Sequence, residues 1–308
     1  AIKEPYRTPT LLYIMDADNG TDAGPEFLEK VVRVTAEFPT LSGGGSTVAC
    51  TAPAPHDAFP DAALVSLTDF TAESDFTSQM VWTIDMKNGD TIRLRQNLSI
   101  TAIRTYDYYP ADAPMNTAQE LQTLVDTLSN SLEPNAVINL YLPAVTYMES
   151  LTIRTRSINL YGTTDGEQRT TFAAPIQYQT EADHQISYVQ DIVFLGEGTG
   201  TALSASARVR AIHCTFTNWN IGLGGSAWIN AESCTFENNQ IGLYFNCGSG
   251  SVSHTMYNHN QFWNNRTAVV LESVPTDITL DFQGCVFSGN GTNFDNRCGQ
   301  PIDVSQTV

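Results

Sequence analysis

The sequence predicts a mainly β protein, a solenoid of short stacked parallel strands preceded by a small α+β domain. Three observations carry that expectation. The stretch CTFTNWNIGL, Cys214 to Leu223, is repeated as CTFENNQIGL from Cys234 to Leu243. Two further segments align with the pair, NQFWNNRTAV from Asn260 to Val269 and CVFSGNGTNF from Cys285 to Phe294, so the starts lie 20, 26 and 25 residues apart. Within each segment the side chains alternate with period 2, Cys214 and Phe216 facing one way and His213 and Thr215 the other, which is the pattern of a strand. Helical hairpin repeats need about 33 residues or more and a 3.6-residue period.

Stacking these segments places corresponding residues about 4.8 Å apart. One inward row holds Phe216, Phe236, Phe262 and Phe287, and a second holds Cys214, Cys234, Asn260 and Cys285. The turn that follows carries Asn218, Asn238 and Asn264, with Asn239, Asn265 and Asn290 beside them. Stacked asparagines can pass amide hydrogen bonds from rung to rung and satisfy backbone groups that a tight turn would orphan. Upstream, INLYL at Ile138–Leu142 recurs as INLYG at Ile158–Gly162. Thr117-Ala118-Gln119-Glu120 is a capping box opening a helix with Leu121, Leu124, Val125, Leu128 and Leu132 on one face. Such a helix would plug the apolar N-terminal end of the solenoid. At the C-terminal end, the segment after Phe294 or a partner must do so.

The phenylalanine row, the Asn-Asn turns and the segment INLYLPAVTYMESLTI, Ile138 to Ile153, together resemble the right-handed parallel β-helix, or pectin-lyase-like, superfamily. The resemblance spans roughly Asn116 to Asp303, and Val145 stands where those proteins commonly have glycine. It implies a right-handed parallel β-helix of about seven coils over residues 116–308, behind an α+β domain at 1–115 that resembles nothing familiar. It leaves function open, because the superfamily includes lyases, hydrolases, epimerases, adhesins and silent modules. The hydrolase signatures Asn-Thr-Asp, Asp-Asp and Gly-His-Gly and the lyase-type Arg-x-Pro-x-x-Arg are absent from this chain.

In the N-terminal domain, Leu11 to Met15 reads as a strand, Pro25 to Phe38 as a helix and Ser42 to Pro60 as a long loop. Met80 to Arg95 reads as a hairpin about Asn88-Gly89, with Trp82, Ile84, Met86, Ile92 and Leu94 on its buried face and Arg93 and Arg95 opposite.

Bulk properties bound the partners. The 308 residues include 33 acidic and 15 basic side chains, a net charge of −18, which repels nucleic acid and anionic lipid. No run of about 18 apolar residues is long enough to span a membrane. The six cysteines form no CxxC and no zinc spacing. The composition suits an extracellular or cell-surface protein, or an excised ectodomain, with a polysaccharide or cell-surface protein as partner.

Candidate chemistry falls in three groups. His213, Glu232 and His259 lie on outward positions of the repeats, with His254 nearby; they are acid–base candidates or simply solvated side chains. His56, Asp57 and Asp61 are a second catalytic set if the loop 42–60 meets the solenoid. Trp228, Trp263, Tyr244 and Tyr257 are the aromatics that could stack on sugar rings, or pack beneath loops. Asp16, Asp18 and Asp22 have the alternate spacing of a calcium loop, but Thr21 and Phe27 occupy the positions where an EF-hand needs Gly and Glu, so an acidic turn is the competing reading. No other cofactor is implied. The leading expectation is a non-catalytic β-helix module binding a glycan or protein along its wall; the alternative is a polysaccharide lyase or glycoside hydrolase with an atypical site.

Overall fold

The computed structural model describes residues 9–13, 29–38, 46–48, 54–56, 59–66, 76–100, 104–134, 136–179, 186–225, 229–246, 257–276, 279–305 and 307–308. The chain divides into two compact units, Ala1–Arg104 and Thr105–Val308.

The second unit is a right-handed parallel β-helix of about six turns. Three parallel sheets form its walls. The phenylalanine sheet has seven strands, from Thr146–Tyr147 through Thr215–Thr217 and Thr235–Glu237 to Val286–Ser288. A seven-stranded leucine sheet runs from Leu151–Ile153 to Thr292–Asn296. The third wall has six strands and begins with Thr105–Tyr108, so the solenoid starts before its capping helix.

The register puts each repeat on the last: Phe194 pairs with Phe216, Phe216 with Phe236, Phe236 with Phe262 and Phe262 with Phe287. Tyr147 and Phe172 begin the same row, and ring centroids along it are 4.5, 6.0, 4.8, 4.9, 4.8 and 4.9 Å apart. Offset-stacked rings at that spacing add to the burial of their area. Cys214, Cys234, Asn260 and Cys285 form the second inward row, and all are buried. Burial pushes the Cys285 thiol up to about 11 and raises Cys214 as well, so both behave as small apolar groups.

The asparagine ladder forms as the repeats imply. Asn239 Nδ2 donates to Asn265 Oδ1 and Asn265 Nδ2 to Asn290 Oδ1, each at 3.0 Å. The Nδ2 atoms of Asn239, Asn265 and Asn290 donate to the carbonyls of Phe216, Phe236 and Phe262 in turn, at 2.9 Å. The neighbouring Asn218, Asn238 and Asn264 have φ of 61°, 55° and 53°, a left-handed conformation that asparagine tolerates better than most residues.

The capping helix is Ala118–Ser131, with Ala118, Leu121, Val125 and Leu128 buried against the first coil. Thr117 Oγ1 accepts from Glu120 N at 3.2 Å, while Glu120 Oε2 accepts from Thr117 N at 3.1 Å, closing the box. At the far end the chain itself supplies the cover. Val308 N donates to Cys285 O and Phe287 N to Val308 O, while Ile302–Asp303 pairs with Leu280–Asp281.

Ala1–Arg104 departs from expectation. Its described elements are strands and one short turn of 3-10 helix. Val31–Phe38 is a strand rather than the second half of a helix. VVRVTAEF is rich in β-branched residues and alternates, with Val34 and Ala36 inside. It pairs with Phe76–Met86 and Ser46–Val48, and Phe76–Met86 pairs with Thr91–Ile100. The expected loop 42–60 also carries strands, Ser46–Val48 and Ala54–His56. The hairpin forms about Asn88-Gly89, with Gly89 at φ 89°. Trp82 and Ile84 are buried, but Ile92 and Leu94 are exposed, because their strand is the edge of its sheet.

Candidate functional site

The corner between the third wall and the phenylalanine sheet is where backbone geometry and polar side chains converge. Asp191, His213, Ser233 and His259 occupy successive rungs there, each in the left-handed region with φ between 51° and 57°. A left-handed residue bends the chain sharply from one wall into the next and throws its side chain outward. Gly162 begins the row and Gly284 ends it. A Cβ on Gly162 would come within 2.2 Å of the Asp191 carbonyl oxygen, and one on Gly284 within 2.3 Å of His259 Nδ1. Glycine is therefore what lets the corner stack.

Beside Gly162 the chain leaves the solenoid as a small hairpin, Thr164–Asp165 paired with Gln168–Arg169. Buried Thr170 ties down its base, its Oγ1 accepting from Thr163 N at 2.8 Å and donating to Pro143 O at 2.8 Å. Between hairpin and corner lies a cleft of about 400 Å³ lined by Thr164, Arg169, Asp191, His213 and Thr215 among others. Asp191 Oδ1 is 3.6 Å from His213 Nδ1, and Asp191 Oδ2 accepts from Gln190 Nε2 at 2.9 Å. With the His213 and Asp191 side chains 58% and 46% exposed, the pair contributes little to stability and remains open to a ligand.

Of the candidate site residues among those described, His213 lines this cleft. His259 lies two rungs away, with Ser233 between them, so the structure does not bring the histidines together. Glu232 ends the strand Ile229–Glu232, opposite Ile212. His56 and Asp61 lie on paired strands of the first unit, Ala54–His56 and Phe59–Ser66. Asp16, Asp18, Asp22, Asp57, Trp228 and His254 lie outside the described residues.

The aromatic candidates divide. Tyr257 is a correction: it is fully buried, and its hydroxyl donates to Ile229 O at 2.6 Å, so it belongs to the core. It lies before the sharp corner at His259, where an alignment that starts at Asn260 cannot orient it. Trp263 faces outward and is 36% exposed. Tyr244 also faces outward, and its hydroxyl lies 3.4 Å from Glu272 Oε2. Burial, and then the Glu272 charge, raises its pKa above the usual tyrosine value.

Sequence reasoning missed Arg169 and Asp191. Aligning Ile192–Phe194 on Cys214–Phe216 sets Asp191 beside His213, a usable signal; Arg169 sits on a hairpin unique to its coil, which no repeat reveals. It also missed an outward tyrosine stack. Tyr109 and Tyr141 are 4.5 Å apart at 5°, and Tyr141 and Tyr161 5.1 Å apart at 20°. The INLY repeat carried that signal, since Tyr141 pairs with Tyr161.

Stacked parallel walls around an aromatic row and an asparagine ladder decide the fold. It is a right-handed parallel β-helix. No protein-family model matches the chain, and no curated protein does. Among solved structures, a Yersinia enterocolitica family 28 exopolygalacturonase is similar with a TM-score of 0.30 and 10% identity, over 93% of this chain and 73% of that one. An activity does not follow from a fold. Among the described residues, no helix is long and apolar enough to cross a membrane, and no three His, Cys, Asp or Glu side chains are grouped to hold a metal.

Proposed function

We propose that this parallel β-helix is a glycan-binding module acting outside the cell or at its surface, and that the cleft beside the 164–169 hairpin holds the glycan without cleaving it. The observation that carries this reading is the convergence of Arg169, Asp191, His213 and the hydroxyls of Thr164 and Thr215 on one open cleft. Fixed donors and acceptors at the edge of a rigid wall suit the paired hydroxyls of a sugar. A glycosidase would need two carboxyl groups about 5–10 Å apart across the bond. Here the described lining offers one, Asp191.

The experiment is a panel of neutral and acidic polysaccharides, with and without calcium, read for retention of the protein and for new reducing ends and unsaturated uronates. Retention that falls at least tenfold in Arg169→Ala, with no new ends, is the expected result. Release of reducing ends from any polymer, abolished by Asp191→Asn, would replace the module by an enzyme.

A further inference from the structure

On the outer face of the leucine sheet, Gln177, Ser204, Gly224 and Tyr244 occupy one row on successive rungs. Ser204 and Gly224 are the small members. They leave a notch of about 470 Å³, flanked by Thr201 and Ile221 on one side and Ser206 on the other. Three strand spacings, about 14 Å, separate the Gln177 and Tyr244 rungs. Gly224 has no side chain, and the methyl groups of Ile221 and Thr201 close in beside it, so the floor next to Tyr244 is apolar. The other side of Tyr244 is backed by Val270, its partner on the next rung.

The ring is also held in place. Arg297 Nη1 donates to Glu272 Oε2 at 2.6 Å, and Arg297 Nε to Asp295 Oδ2 at 2.9 Å. The Tyr244 hydroxyl points to that same Glu272 oxygen. Glu272 and Asp295 together outweigh Arg297, so the rim behind the ring is net negative. No charged side chain is among the described residues lining the notch itself. At its far end Gln179 Nε2 donates to Gln177 Oε1 at 3.0 Å, which leaves Gln179 Oε1 to accept and Gln177 Nε2 to donate.

We infer that this notch is a second saccharide site, in which the apolar face of a neutral pyranose stacks on Tyr244 and its hydroxyls bond to Gln179, Ser204 and Thr201. An apolar floor with a few fixed polar groups at its edge is the composition of a ligand site, and its size fits one or two sugar rings. A tyrosine offers a flat apolar body at low entropic cost. The negative rim disfavours acidic sugars, which separates this site from the arginine-bearing cleft. The inference rests on the glycan-binding reading for the kind of ligand, and on different residues for the place.

Isothermal titration with hexaoses of glucose, mannose, xylose and galactose tests it. At least one should bind wild type, about tenfold more weakly in Tyr244→Ala and in Ser204→Tyr, which fills the floor, and equally well in Arg169→Ala. Tyr244→Phe keeps the ring and should stay within threefold of wild type, which separates loss of stacking from loss of fold. Binding of a neutral hexaose that neither Tyr244→Ala nor Ser204→Tyr weakens would overturn the notch. So would a Tyr244-dependent preference for tetramethylammonium over every sugar, because the ring would then be a cation site. Failure of all neutral hexaoses would do the same; Arg169-dependent binding of acidic oligosaccharides would then show that the cleft reading stands alone.

Discussion

Thr215 and Phe216 are neighbours on one strand and belong to different worlds. On the Phe216 side, the last five rungs of the sheet repeat a phenylalanine and rings stack within 5 Å of one another. On the Thr215 side, the same rungs read Val193, Thr215, Thr235, Gln261 and Val286, and the next outward row reads Leu195, Thr217, Glu237, Trp263 and Ser288. Repetition marks the face whose neighbours are copies of itself, since a stacked core admits one shape per row. Departure from repetition marks the face that solvent or a ligand meets. The cleft and the notch both arise where a rung breaks the pattern, through an inserted hairpin in one case and two small residues in the other.

Substitutions on the two faces should therefore differ in kind. Phe236→Ala removes a ring with aromatic neighbours on both sides and no exposure, and should cost about 3–5 kcal/mol in denaturant unfolding. Asn265→Ala comes next. It orphans the carbonyl of Phe236 and the amide N–H of Asn239, at about 1–3 kcal/mol for each buried group left unpaired. A loss no larger than that of an exposed asparagine would mean that the ladder is ornament.

Alkali should act on the same interior. The Cys285 thiol is raised by burial from its usual 9.0 to about 11. A raised pKa means the folded state keeps its proton longer than the unfolded chain does. That contribution is whole below pH 9 and is lost as pH rises through about 11. Buried Tyr147 and Tyr178 shift in the same direction. The melting temperature should fall between pH 9 and 11, and fall less steeply in Cys285→Ala. Smaller still, Thr117→Ala opens the capping box at a cost of about 1 kcal/mol. A much larger loss would mean that the first coil depends on the cap as a whole and not on one hydrogen bond.

The same contrast explains what could be read beforehand. Phe216, Asn239 and the INLY tyrosines announce themselves because each recurs at the rung spacing. Leu121, Val125 and Leu128 do so through helical period and a capping box. Val31–Phe38 misled because Pro25 suggested the first turn of a helix, while its pairing with Phe76–Met86 is a contact between distant parts of the chain. Arg169 could not be placed because its hairpin has no counterpart in another coil. Gly224 looks like any repeat glycine until its rung is set beside Tyr244.

The measurement that tests this account most directly pairs melting temperature with glycan affinity in Arg169→Ala and Phe236→Ala. Arg169 is exposed and unrepeated, so its loss should leave stability within about 0.5 kcal/mol and weaken binding of glycans held in the cleft, acidic ones above all, at least tenfold. Phe236→Ala should lower the melting temperature steeply while the fraction that remains folded binds as wild type. An Arg169→Ala protein that binds every glycan as tightly as wild type would contradict the claim that the break in the repeat is where this β-helix meets its ligand.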